Sequence, residues 1–146
     1  DVLLLAFAYQ RDLRQTDNAA FLDKVQNASP TITVYNLMEL LGQLSFNVSP
    51  ARLAEWESWV IEPYHLTVIW PRPAENVKAE TFFRAEIFEH PFAKSREHRI
   101  AFLDALIIGL VERTPNVECF VTWNARHFKS KTPLRVVTPT EYLTET

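Results

Sequence analysis

Glycine is unusually scarce in this sequence. It occurs only twice in 146 residues, at Gly42 and Gly109, where average usage of about 7% would give about ten. Two glycines 67 positions apart cannot form a glycine-rich phosphate loop or a G-x-G-x-x-G dinucleotide-binding turn. Their scarcity also argues against an all-β fold, because tight hairpins depend on glycine.

Cysteine and long apolar runs are scarce as well. The single cysteine, Cys119, excludes an internal disulfide bond and a zinc site built from cysteines. No run reaches the roughly 20 apolar residues that a membrane-spanning helix needs. The apolar run Val2–Tyr9 has neither the basic leader nor the small-residue cleavage site of a signal peptide. We therefore expect a protein that functions in the cytoplasm without a membrane partner.

The rest of the composition is that of an ordinary globular protein. Apolar residues make up 47% and charged residues 23% of the chain, which argues against disorder. The length is close to that of one compact domain, so we predict a single domain over residues 1–146. A net charge of −3 argues against a large basic binding surface.

Short β-branched or apolar segments alternate with helical patterns along the chain. Parallel strands need helical crossovers, and the segment lengths supply them. The alternation predicts a three-layer α/β/α sandwich with a mainly parallel sheet. The predicted strands are Thr31–Val34, Tyr64–Trp70, Val117–Val121 and Leu134–Val137.

Helix boundaries are predicted from capping residues. Asp17 is expected to cap a helix through Val25, and Ser49, followed by proline, is expected to cap another. Ser95 is expected to cap the longest helix, which would run to about Arg113. A further helix is predicted from leucines at i, i+3, i+4 and i+7, which are Leu37, Leu40, Leu41 and Leu44.

Asp104 is the most informative acidic residue. It is the one charged residue in the otherwise apolar stretch Ile100–Val111, and it shares a helix face with the apolar residues around it. An ionised carboxylate without partners costs several kcal/mol to bury. The compensating partner is either a metal ion, a helix N-terminus or a structural ion pair, for instance with Arg99 or Arg126.

Two further stretches contain candidate site residues. Glu39 lies on a different face of its helix from the leucine stripe. An ordinary solvent-exposed glutamate would occupy the same position. Thr122 and Asn124 follow a predicted parallel strand at its carboxyl end, where ligands bind in open α/β sheets, although a plain turn also explains them. Arg126 and Lys129 belong to an acid-free basic segment that suits either a phosphate backbone or a solvated loop.

Other kinds of catalytic site find no support. His65, His90 and His98 have no paired metal-ligand spacing, and neither an H-E-x-x-H nor a G-x-S-x-G motif is present. Cys119 lies in an apolar segment and is interpreted as a small core residue. Carboxylate-based metal chemistry is therefore the main enzymatic option.

Several short motifs, taken in order, resemble those of the PIN-domain family, which includes the VapC-type toxin ribonucleases. The resemblance covers the chain except about residues 49–96. The matching stretches are Asp1–Leu4 for the opening D-T-[DN]-V-L motif, Thr33–Leu44 for the second acid, Arg99–Gly109 for the third acid, Thr122–Phe128 for the T-x-[DN]-x-x-F motif, and Pro139–Leu143 for the closing P-x-E-[FY]-L segment.

The resemblance implies a metal-dependent endoribonuclease that is the toxin of a toxin–antitoxin pair. Asp104, Glu39 and an aspartate at the N-terminus, either Asp1 or one upstream of it, would hold Mg²⁺ or Mn²⁺, the ions that suit oxygen ligands. Thr122 and Asn124 would orient water or phosphate. Arg126 and Lys129 would position the RNA backbone. Its partners would be RNA and an antitoxin protein.

The chain departs from the family pattern at two positions. Asp1 matches the Asp/Asn that follows the first catalytic aspartate by two residues, so the first acid is expected upstream of residue 1. Asp1 would then be a neighbour of the ligand. Asn124 stands at the fourth acid position, where an amide adds no negative charge and metal affinity should be lower.

Two other functions stay open. One is a catalytically inactive PIN-like module for RNA binding or assembly, which Asn124 favours. The other is a metal-dependent phosphatase of another α/β fold, which would cleave small phosphate esters and not RNA. A homodimer is also expected, with the aromatic segment Trp56–Trp70 as its apolar interface.

Overall fold

The fold is that of a computed structural model, which describes residues 1–145. It is mixed α/β, with helices forming most of the chain. The helices are α1 (Val2–Ala8), α2 (Gln15–Val25), α3 (Val34–Leu44), α4 (Pro50–Ala54), α5 (Ala79–Arg84), α6 (His90–His98), α7 (Phe102–Glu112), α8 (Ala125–Phe128) and α9 (Pro139–Glu145). The strands are β1 (Thr31–Thr33), β2 (Thr67–Ile69), β3 (Phe120–Val121) and β4 (Val136–Val137).

The strands form two small parallel sheets. In one, β1 pairs with β2, so that Thr31 lies opposite Thr67. In the other, β3 pairs with β4, so that Phe120 lies opposite Val136. Parallel pairing and all four strand positions are as predicted, although the strands are shorter. Within residues 1–145 the pairs remain separate two-stranded sheets, and the three-layer sandwich stays a prediction.

Helix α3 follows directly from β1 because a capping box marks the boundary. The Thr33 hydroxyl accepts a hydrogen bond from the Asn36 amide at 3.1 Å, and the Thr33 amide donates to Asn36 Oδ1 at 3.3 Å. These bonds satisfy backbone donors that helix initiation leaves unpaired. The leucine stripe faces inward as predicted, since Leu37, Leu40 and Leu44 are buried. Glu39 lies on a different face of α3 and is half-buried.

Ser95 does not cap a helix, which corrects the prediction of one long helix there. It lies inside α6, and its hydroxyl donates to the carbonyl of Ile100 at 2.7 Å. Arg99 adopts a left-handed conformation with φ of 52°, which ends α6. Helix α7 then begins after Ala101, and its apolar face joins Tyr35 in the main core.

Of the other two predicted helix caps, Ser49 is confirmed and Asp17 is wrong. Ser49 accepts a hydrogen bond from the Arg52 amide at 3.4 Å, as predicted. Asp17 is not a cap, because α2 begins two residues earlier, at Gln15. The Asp17 carboxylate instead accepts a hydrogen bond from the Thr140 hydroxyl at 2.8 Å, and so joins α2 to α9.

The first part of the segment expected at a dimer interface packs against the core, while Trp70 at its end is exposed. Val60 is completely buried and packs with Leu40 and Leu44, and Trp56 and Trp59 cover the same cluster. Exposed apolar side chains gather instead on α5, on the π-helical turn Ala85–Glu89 that joins α5 to α6, on α6 and at the start of α7. They are Phe83, Ile87, Phe88, Phe92, Phe102 and Leu103.

Candidate functional site

Asp1 joins the start of α1 to the segment after β3. Its Oδ2 atom accepts hydrogen bonds from the Thr122 hydroxyl at 2.7 Å and from the Asn124 amide at 3.1 Å. Thr122 is buried, and its hydroxyl oxygen accepts a second bond from the Asn124 amide at 3.1 Å. The carboxylate of Asp1 therefore fixes the two residues that sequence reasoning placed at the carboxyl end of a strand.

The backbone nitrogen of Asp1 lies where α3 and α7 reach the same site. Glu39 of α3 and Asp104 of α7 both lie within electrostatic range of this nitrogen, although the two residues are 65 positions apart in the chain. The fold brings together Asp1, Glu39, Asp104, Thr122 and Asn124.

Asp104 is half-buried and weakly neutralised. Burial raises the pKa of its carboxyl group, and the basic side chains of His127 and Lys131 oppose this effect. Its Oδ2 atom lies 3.5 Å from His127 Nε2, and about 31% of its side chain is exposed. The partner is therefore His127, which corrects the sequence-based alternative of Arg99 or Arg126.

His127 and Lys131 are site residues that sequence reasoning missed. Lys131 Nζ lies 3.4 Å from His127 Nδ1. A lysine ammonium group has donors only, so Nδ1 accepts and the proton of a neutral His127 ring lies on Nε2, facing Asp104. The sequence held a signal for this arrangement, because His127 and Lys131 are four residues apart and follow Asn124 closely.

Lys129 faces another part of the molecule. Its amino group pairs with Glu141 Oε1 on α9 at 2.8 Å, and this bond is the main cause of a lowered pKa at Glu141. Arg126 is exposed on α8. The contacts of Lys129 and Arg126 with RNA stay a prediction, while the lysine whose charge acts on Asp104 is Lys131.

The donor set fits a lightly held divalent cation. Among residues 1–145, no group of three His, Cys, Asp or Glu side chains is arranged to hold a metal ion. Mg²⁺ typically takes only one or two carboxylates and completes its shell with waters and substrate phosphates. Asp104 and Glu39 both lie near the backbone nitrogen of Asp1, and two carboxylates are the number that such an ion takes from a protein.

A second buried acid, Glu86, lies apart from this site and was also missed by sequence reasoning. It accepts a hydrogen bond from the Tyr35 hydroxyl at 2.8 Å and pairs with Arg113 at 2.7 Å. The Arg113 guanidinium contacts both carboxylate oxygens. The charge of Glu86 is therefore matched within the protein, and we assign it a structural role.

Comparison with protein-family models, curated proteins and solved structures finds no match to this chain.

Proposed function

We propose that the chain is a metal-dependent endoribonuclease with a PIN-like three-layer fold. The observation that carries the proposal is that Glu39 and Asp104, from two different helices, both lie near Asp1, whose carboxylate holds Thr122 and Asn124. Burial raises the pKa of Asp104, and the histidine beside it compensates at 3.5 Å. A divalent cation would supply the compensation that the protein supplies only in part.

In this proposal Asp104 and Glu39 hold Mg²⁺ or Mn²⁺. A bound ion of this kind neutralises charge on the phosphate and lowers the pKa of a bound water. Asp1 keeps its predicted ligand role, because its carboxylate has a second oxygen besides the Oδ2 atom that accepts two hydrogen bonds. It holds Thr122 and Asn124 in place, where the Asn124 side chain can orient phosphate or water.

The biological setting proposed is a cytoplasmic toxin whose substrate is RNA and whose inhibitor is an antitoxin protein. The motif order described above supports this setting. Among residues 1–145, no helix is both long enough and apolar enough to cross a membrane. A homodimer is also proposed, with either the exposed rings of Phe83, Phe88 and Phe92 or the segment Trp56–Trp70 at its apolar interface. Sedimentation as a monomer at micromolar concentration would contradict the dimer.

Cleavage of total RNA tests the activity. We expect Mg²⁺-dependent cleavage by the wild type, none in EDTA, and a loss of at least about 100-fold in Asp104→Asn or Glu39→Gln, the size typical for removing a group that stabilises transition-state charge. Glu118→Gln removes an exposed acid and serves as the control with unchanged activity. Full activity of a folded Asp104→Asn protein would overturn the assignment.

A catalytically inactive RNA-binding or assembly module is the second candidate. One observation favours it, namely that residues 1–145 contain no three-ligand metal group. The two candidates differ in metal dependence, because a scaffold would bind RNA equally well with and without Mg²⁺ and would leave it intact.

A further inference from the structure

Lys131 is placed differently from the other lysine in its segment. The amino group of Lys129 is 2.8 Å from a carboxylate oxygen of Glu141, so its charge is matched. Lys131 instead contacts the imidazole ring of His127 at 3.4 Å. Among residues 1–145, no carboxylate forms an ion pair with Lys131. Its positive charge is thus available beside the candidate site.

The His127 ring sets the position of this charge. Its Nε2 atom is 3.5 Å from Asp104 Oδ2, and its Nδ1 atom faces Lys131 Nζ. The ring therefore separates the ammonium group from the carboxylate by its own width. A direct Lys131–Asp104 ion pair would use the positive charge to neutralise the acid, whereas this spacing leaves both charges open to a ligand.

From this arrangement we propose that Lys131, held by His127, binds a phosphate group of the nucleic-acid backbone next to Asp104. The inference rests on the proposed function and extends it by naming the cation that receives the phosphate. An ammonium group on a flexible stem is a common phosphate ligand. The influence of Lys131 on the pKa of Asp104 supports its closeness to the site. Lys129, which was expected to contact RNA, has no such part in this proposal.

The test measures binding of a fluorescent 20-nucleotide single-stranded RNA of mixed sequence, in EDTA so that no cleavage occurs. Removing one lysine that neutralises a phosphate of a single strand reduces the slope of log affinity against log salt concentration by about 0.7. We expect that reduction in Lys131→Met, an unchanged slope in the control Lys78→Met, which removes an exposed lysine, and recovery in Lys131→Arg. An unchanged slope in Lys131→Met, or equal reductions in both methionine variants, would overturn the proposal.

A second readout separates phosphate binding from a general structural role. Removing a positive charge near the candidate metal site should make Mn²⁺ bind about two- to fivefold more tightly, the size expected for one screened charge within about a Debye length. Lys131→Met should therefore weaken RNA binding and strengthen Mn²⁺ binding. Weaker binding of both would indicate damage to the structure and would overturn the proposal.

An error in the proposed metal-dependent function gives a different result. Asp104→Asn would then leave Mn²⁺ binding unchanged, and this outcome does not depend on the salt slopes of the lysine variants. Failure of the Lys131 assignment would appear in those slopes while Asp104→Asn still abolishes Mn²⁺ binding.

Discussion

Glu86 and Asp104 are two acidic residues that the fold buries to different extents, Glu86 almost completely and Asp104 about halfway. Glu86 is buried, and its oxygens receive the Tyr35 hydroxyl at 2.8 Å and the Arg113 guanidinium at 2.7 Å. Asp104 has one basic neighbour at 3.5 Å, and burial raises its pKa. A buried carboxylate whose oxygens accept short hydrogen bonds from the protein has a structural role. A buried carboxylate whose nearest basic group is farther away is a candidate for binding a ligand.

The largest effect is expected from breaking the Glu86 network. Arg113→Met would leave the Glu86 carboxylate buried with the Tyr35 hydroxyl alone. We expect a loss of about 2–3 kcal/mol in the free energy of unfolding, less than for a fully buried pair because Arg113 is partly exposed. Urea denaturation measures it. Arg84→Met, which breaks an exposed pair with Glu89, is the control and should cost under about 1 kcal/mol.

A smaller effect is expected at the hydroxyl of the same network. Tyr35→Phe removes one hydrogen bond to Glu86 and keeps the ring in the core, so we expect a loss of about 1–2 kcal/mol. The pKa of Tyr35 is raised, first by burial and next by its bond to Glu86. A shift in the urea midpoint measures the loss. An unchanged midpoint would show that the Glu86 network is weaker than described.

The smallest effect on stability is expected at Asp104, and with the opposite sign. Asp104→Asn removes a desolvated charge without a close partner, so we expect stability at neutral pH to stay equal or to rise by up to about 1 kcal/mol. A loss of more than about 1 kcal/mol would place Asp104 with Glu86 among the structural acids.

The stability difference between the wild type and Asp104→Asn should depend on pH, because the pKa of Asp104 is raised. The folded state holds the Asp104 proton to a higher pH than the unfolded state, so this group reduces stability as pH rises from about 4 through its folded pKa. The advantage of Asp104→Asn should therefore be absent near about pH 3.5 and complete near about pH 7. Paired urea titrations at the two pH values measure it. An advantage of the same size at both would contradict the raised pKa.

Local signals in the sequence were sufficient for several elements. Ser49 followed by Pro50 marks the start of α4, because the cap and the proline act within one turn. The leucine stripe of α3 identifies its buried face for the same reason. The prediction of a helix cap at Ser95 was wrong, because α6 continues past it and ends at Arg99. Arg99 adopts a left-handed conformation, and no glycine marks this position in the sequence.

The candidate site was predictable only in part. Asp104 stood out as a charge in an apolar helix, and Glu39 was proposed from the family resemblance. The four-residue spacing of His127 and Lys131 indicated that they lie near each other, but their position relative to Asp104 depends on how α8 packs against α7. Glu86 was missed for the same reason, since Tyr35 and Arg113 are distant from it in sequence and meet it only in the folded chain.

Calorimetric titration of Mn²⁺ tests the contrast between the two acids most directly. It compares the wild type with Asp104→Asn and with Glu86→Gln, the matched neutralisation of a buried acid outside the site. We predict binding to the wild type, unchanged binding to Glu86→Gln, and none to Asp104→Asn. A wild type that binds no Mn²⁺, or an Asp104→Asn protein that binds it as the wild type does, would contradict the assignment of Asp104 to a metal site.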